Sequence, residues 1–376
     1  MLYLNMIRKL LVPGAMALLI LGVLFERIQG DDTLIGKTAP YLVNWPDRRP
    51  IARMFIAGGD DSSASNPRGY FKNPALDVSN QAAFNAQVLD WADHCIKDLN
   101  AMNPKPQGIL IWDLEGEEFH QPFTYVGNPP ELPDLAPEMD AVADKMFAKF
   151  REAGYKIGLT LRSSTFMTGT KLPATGNYNE DINLTDIFIK LDAPYPYRGY
   201  ICTAPNTWTQ PGARFPNCQT LSDDDSVPLG ILKTKVDYAR KRWGATMFYV
   251  DTTVYSTGAP LNPDIFRQLQ KDFPDCLFFP EEKTSLTWGA TAPYGQANQG
   301  DFGPSHFVRD IYPGAFSVLQ VSDGIDYADP SLHDALVNSV KKGNILFVDG
   351  WQNSPANASI LQIYRDAGKG NPAVPK

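Results

Sequence analysis

The stretch Ala245–Glu282 reads ATMFYVDTTVYSTGAPLNPDIFRQLQKDFPDCLFFPEE, and it decides the fold class. Thr246–Val250 is a short apolar run that predicts a strand, and it stops at Asp251. Asp264–Phe273 predicts a helix. Leu277–Phe279 predicts a second strand, ending at Pro280-Glu281-Glu282. Continuous apolar strands joined through a helix are the repeating unit of parallel sheets covered on both faces.

The same unit recurs on either side. Upstream, strands are expected at Ile51–Ala57, Gly108–Trp112 and Lys156–Leu161, with helices over Val78–Met102, Pro137–Ala153 and Val227–Trp243. Phe84, Val88, Trp91, Cys95 and Leu99 carry the helical period in the first of these. Downstream, Phe316–Val321 and Ile345–Val348 read as strands, and Ser331–Lys341 and Ala356–Ala367 as helices, after a short helix at His306–Ile311. Open doubly wound sheets share this alternation with closed barrels. Polar residues just past many different strands favour an α/β fold of the TIM-like (β/α)8 barrel type. Only seven strands are clear. The expectation is a barrel that is either incomplete or borrows a strand from the long insertion 163–225, which is too long for an ordinary loop and reads as a lid or wall.

Ahead of the barrel domain (51–376) lie two other segments. Residues 31–50 read as a Pro-rich linker. In residues 1–30, Arg8-Lys9 precede the apolar run Leu10–Phe25, LLVPGAMALLILGVLF. Sixteen helical residues reach roughly 24 Å, short of a ~30 Å hydrocarbon core unless MLYLNMI lengthens a tilted span. The segment reads as a signal anchor with a transmembrane helix, the basic flank inside, or as a cleaved secretory signal. Both readings put Asp31 onward outside the cytoplasm, on the periplasmic or extracellular side of the cell membrane.

The chain has 376 residues, 34 basic and 42 acidic side chains, and a formal net charge of −8. An acidic chain with four histidines argues against nucleic acid as a partner. GGDDSS after the first strand matches no phosphate-binding glycine loop, so no nucleotide cofactor is expected. No C-x-x-C pair supports structural zinc. Of the four cysteines, Cys202 and Cys218 bracket a Pro/Thr/Asn-rich loop and are expected to form a disulfide.

Five predicted strands end in acids: Asp113-Leu114-Glu115, Asp251, Glu281-Glu282, Asp323 and Asp349. Asp323 and Asp349 read as helix caps. Five acids at one rim are harder to explain as caps, because a carboxylate in an apolar mouth is costly unless paired or used. Period-two alternation lets Asp113, Glu115 and Glu117 share a face, and groups Asp251 with Tyr249 and Glu281 with Phe279. Glycoside hydrolysis requires two carboxyl groups in different environments. Asp251 and Glu281 are the expected catalytic pair, with Asp251 as nucleophile or base and Glu281 as acid; Glu115 is the third candidate. Asp113, Arg162, Tyr249, Trp288 and Trp351 are the expected contacts to a carbohydrate.

At these residues a family resemblance enters. FYVD, the PEE strand end and WDLEGEEF (Trp112–Phe119) resemble the catalytic half of (β/α)-barrel glycoside hydrolases. The α-galactosidase/α-glucosidase superfamily, with an Asp closing a Y-x-D-like strand, is the relative suggested. WDLEGEEF followed by APEMDAVADKMFAKFREAGYKIGLTLR (Ala136–Arg162) is also similar to uncharacterised exported bacterial proteins. The resemblance spans roughly residues 50–350. It departs from the superfamily where Thr252-Thr253 follow Asp251, and where Glu rather than Asp is the acid.

Two rival readings stand beside it. Asp113, Glu115, His120 and Asp60 or Asp61 offer oxygens and an imidazole to calcium or magnesium. Alternatively the barrel is catalytically inactive, binding glycans or serving as an accessory subunit of a larger membrane complex. No G-x-S-x-G supports a serine nucleophile.

Overall fold

The structure is a computed structural model that describes residues 39–57, 63–116, 127–163, 165–166, 200–203, 217–220, 225–255, 259–321, 329–349 and 355–368. Eleven strands fall among them. β1 is Ile51–Met54, β2 Gly108–Ile111, β3 Lys156–Arg162, β4 Thr165–Phe166, β5 Tyr200–Thr203 and β6 Asn217–Thr220. β7 is Ala245–Asp251, β8 Leu277–Pro280, β9 Tyr294–Gln296, β10 Val318–Gln320 and β11 Ile345–Asp349.

Eight of these form one sheet in the order β8-β7-β3-β2-β1-β11-β10-β9, every ladder parallel. Sequence neighbours are therefore spatial neighbours, and β1 closes back on β11. At the remaining seam, Ala292 N donates to Phe278 O at 2.9 Å, just ahead of β9. The result is a nearly closed (β/α)8 barrel. Its eighth strand is β9, so the barrel neither lacks a strand nor borrows one from the insertion. β9 escaped the sequence reading because three residues, Tyr-Gly-Gln, are too few to show a period.

Helices cover the outside: α1 Gln81–Ala101, α2 Pro137–Glu152, α3 Ser226–Trp243, α4 Pro263–Asp272, α5 His306–Ile311, α6 Pro330–Lys341 and α7 Pro355–Asp366. Proline opens α2, α4 and α6, where its missing N–H takes nothing from the helix. The Asn262 and Asp329 side chains cap α4 and α6. α1 buries Phe84, Val88, Ala92, Cys95 and Leu99, the face its spacing predicts, with Trp91 only half-buried.

Two apolar layers result. The inner one fills the barrel with Ile51, Leu110, Trp112, Met247, Tyr249, Leu277, Phe279, Val318, Ile345 and Phe347. The outer one packs the alternate residues, among them Ile109, Ile111, Leu159, Leu161, Phe248, Val250 and Phe278, against the helices. Gly158 lies beside Met247 in the inner layer; a Cβ there would stand 2.9 Å from Leu110 Cδ1 and 3.1 Å from Met247 Cβ. The end of the expected linker belongs to the fold: Val43 and Trp45 pack into the inner layer, and Trp45 Nε1 donates to Gln107 Oε1, just ahead of β2.

Within the insertion, β4, β6 and β5 form a separate antiparallel sheet. Its register sets Cys202 directly opposite Cys218; their side chains lie outside what the structure describes. Cys95 and Cys276 are buried free thiols. Residues 1–30 also lie outside the described residues. Among those described, no helix is long and apolar enough to cross a membrane.

Candidate active site

The C-terminal ends of β3, β7 and β8 bring Arg162, Asp251 and Glu281 together. Arg162 and Asp251 are register partners. Val250 pairs with Pro280, so Asp251 and Glu281 leave their strands side by side. All three continue the inward parity of Thr160, Tyr249 and Phe279, so they face the mouth.

Asp251 is buried and fully engaged. Its Oδ2 accepts from Arg162 Nε at 2.7 Å and from Thr252 Oγ1 at 3.1 Å, and its Oδ1 from Tyr249 OH at 3.2 Å. Glu281 accepts from Thr252 N at 2.9 Å. Burial first, then the Asp251 charge, push its carboxyl up to about 7. The neighbouring acids thus sit in unlike environments, one ion-paired and the other disposed to hold a proton near neutrality. Thr252 touches both from a left-handed conformation, φ 51°, which a β-branched residue rarely adopts. Such strain is held at sites whose surroundings over-determine it.

Beneath the acids lies an aromatic floor. The Trp112 and Tyr249 ring centroids are 4.4 Å apart, and Tyr249 and Tyr294 are 4.9 Å apart. Burial above all holds the Tyr249 hydroxyl well above its usual range. Also on the inward parity, Arg53 Nη2 donates to Asp349 Oδ1 at 2.9 Å. Arg53 Nε and Thr160 Oγ1 are buried with no hydrogen-bond partner among the described residues, leaving polar capacity for a hydroxylated ligand.

Asp113 and Glu115 do not join this set. Trp112 occupies the inner layer, so Asp113 falls on the outward parity of Ile109 and Ile111. The expectation that Asp113 faces the mouth is corrected on that ground; Glu115 lies past the end of β2, where Leu114 already breaks the alternation by packing in the outer layer. Asp113 instead accepts from Ile56 N at 2.8 Å and Ala57 N at 2.9 Å, fixing the chain beyond β1. Glu115 accepts from Asn128 N at 2.9 Å. Its carboxyl is pushed up by burial, opposed by backbone amides and by Lys235. Fully buried Lys235 is pushed down to about 7 by desolvation and donates to Gly127 O and Arg162 O, both at 2.9 Å. This outer network braces the residue that pairs with Asp251.

Trp288 lies at the other end of the barrel. Its Nε1 donates to Ser317 Oγ at 3.2 Å, and Ser317 immediately precedes β10. It packs there with Val308, Tyr312 and Ala315, away from the mouth. Trp351 lies outside the described residues, as do Asp60, Asp61, Glu117, His120 and Asp323. Among the described residues no group of three or more His, Cys, Asp or Glu side chains is arranged to hold a metal. Arg53, Thr160 and the strained Thr252 were missed by sequence reading. For Arg53 and Thr160 the inward parity of each strand was the available signal; for Thr252 there was none, since φ leaves no mark in composition.

No family model matches the chain, and no curated protein matches it. Solved structures do resemble it. A noncanonic maltogenic α-amylase from Thermotoga neapolitana is 10% identical, covering 86% of this chain and 76% of its own, with a TM-score of 0.43. The α-N-acetylgalactosaminidase of Bifidobacterium bifidum is 12% identical, covering 86% and 51%, with a TM-score of 0.41. The galactosidase domain of an α-galactosidase–sucrose kinase is 9% identical, covering 76% and 38%, with a TM-score of 0.39. The chain is similar to (β/α)-barrel glycoside hydrolases. It spans 38% of the last of these chains and about half of the second. The barrel assignment itself rests on the strand order given above.

Proposed function

We propose that this protein is an exported glycoside hydrolase, with Asp251 and Glu281 as its catalytic carboxyl pair. The observation that carries the reading is the contrast between these neighbours: Asp251 is ion-paired with Arg162, while Glu281 is raised to about 7. A proton held on Glu281 near neutral pH suits the general acid that protonates a glycosidic oxygen; the partner paired with Arg162 suits the nucleophile. Arg53, Thr160 and the aromatic floor would receive the sugar. The Arg8-Lys9 flank and the Leu10–Phe25 run support attachment to the cell membrane, with the barrel outside the cytoplasm.

The test is hydrolysis of a panel of chromogenic aryl glycosides by the purified protein. On a cleaved substrate, Asp251→Asn and Glu281→Gln should each lower kcat by at least ~10²-fold. Full activity in both variants refutes the pair.

A second reading, a glycan-binding or accessory barrel within a larger membrane complex, draws support from the three donors on Asp251, which would also suit a purely structural carboxylate. It prevails if no glycoside is cleaved and the native protein migrates only within a large membrane assembly.

A further inference from the structure

At the N-terminal end of the barrel, opposite Asp251 and Glu281, lies a cavity of about 360 Å³ lined by Tyr41, Val43, Trp45, Arg48, Phe316 and Lys342, among others. Its place in the fold is fixed by Phe316 and Gly343, each two residues ahead of the starts of β10 and β11. None of its lining residues is acidic. Arg48 is 9% exposed, its guanidinium lies 3.6 Å from the Phe316 ring centroid, and its Nη1 has no hydrogen-bond partner among the described residues.

The nearest carboxylate in sequence, Asp47, is already engaged by Arg49 Nη2 at 2.7 Å and Lys156 Nζ at 2.9 Å. Next to the cavity, Arg309 donates through Nη1 to Ala315 O and Lys342 O, while its Nε and Nη2 are buried without an acceptor among the described residues. One buried guanidinium therefore lines an apolar hollow, with Arg309 beside it and the exposed Lys342 at its edge, and no fixed counter-charge among the residues that line it. A buried cation is costly unless it is paired, and guanidinium is matched to carboxylate and phosphate oxygens.

We propose that this cavity binds a small anionic ligand, a carboxylate or a phosphate, with its charge against Arg48 and Lys342 and any apolar part on Trp45 and Tyr41. The site is independent of the hydrolytic reading of the opposite rim. Calorimetric titration of the full chain with inorganic phosphate, and separately with benzoate, tests it and separates the two anion classes. Saturable binding of either anion is expected. Lys342→Glu, an exposed position, should weaken it at least about tenfold, and Arg48→Met should abolish it. Glycoside hydrolysis should be unchanged in Lys342→Glu. If Arg48→Met does not fold, Lys342→Glu decides alone. Binding of neither anion, or wild-type affinity in Lys342→Glu, overturns the proposal.

Discussion

Arg162 and Asp251 face each other as register partners on β3 and β7, joined by a 2.7 Å hydrogen bond, their side chains 6% and 10% exposed. An ion pair this dry is held in place by what breaking it would cost. Arg162→Gln leaves a buried carboxylate uncompensated and is expected to lower stability by about 3–5 kcal/mol. Removing both charges, as in Arg162→Gln with Asp251→Asn, should recover much of that loss. Chemical denaturation of the single and double variants checks the cycle; a single variant costing under ~1 kcal/mol would show that the pair is not buried as described.

Glu281 sets a pH dependence with a definite sign. Its folded carboxyl titrates near 7, above the ordinary 4.5, so the folded state holds the extra proton between those values. The resulting stability is fully present below about pH 4.5 and is lost as pH rises through about 7. Glu281→Gln should flatten that decline and raise stability at pH 8 by on the order of 1 kcal/mol, a discounted figure because the group is only partly buried. Thermal unfolding of both proteins from pH 4 to pH 9 reads this directly. Parallel curves would mean Glu281 is not the titrating group.

The alternation of apolar runs with helical patterns was enough to place seven barrel strands. That Asp251 and Glu281 leave the ends of consecutive strands was also legible, because each directly follows an apolar run; their inward parity was not, since Met247–Val250 and Leu277–Phe279 are apolar on both faces. The second strand misled. Ile109-Leu110-Ile111-Trp112 is apolar at every position, so sequence offers no way to say which parity faces inward, and a reading that turns Asp113 to the mouth takes the wrong one. Trp288 misled for a different reason. An aromatic following an acidic strand end looks like part of the mouth, but the chain from Glu281 runs back to the opposite end before β9 begins.

The outer network around Lys235 predicts that a residue remote from the acids controls their geometry. Its ammonium ties Gly127 O to Arg162 O, while Glu115 holds Asn128 N. Lys235→Met removes both donors and leaves Glu115 without its compensating charge, so a loss of about 3–5 kcal/mol is expected. On any cleaved glycoside, kcat should fall more than KM changes, because Arg162 is displaced while the aromatic floor remains. An unaltered kcat would limit Lys235 to a purely structural role.

The sheet register opposes Cys202 and Cys218. Directly opposed residues in an antiparallel pair have Cα atoms ~4.5–5.5 Å apart, within the span a disulfide bridges. With Cys95 and Cys276 free, the unfolded protein from an oxidising compartment should titrate as two thiols, and as four after reduction. Four without reduction would dismiss the disulfide.

Thr252 offers a test whose sign is unusual. Glycine in place of a residue ordinarily costs stability, but at φ 51° the threonine side chain is the strained choice. Thr252→Ala loses the hydroxyl on Asp251 and keeps the strain; Thr252→Gly loses the same hydroxyl and relieves it. The glycine variant should therefore be the more stable of the two by about 1 kcal/mol, the reverse of the order in ordinary extended or helical backbone. Both retain the backbone N–H that Glu281 accepts, so both should keep the raised titration of that carboxyl while sharing the loss of one donor to Asp251. Denaturant midpoints of the two variants settle the order. An alanine variant as stable as the glycine one would place Thr252 in relaxed backbone and remove strain from the account of this site.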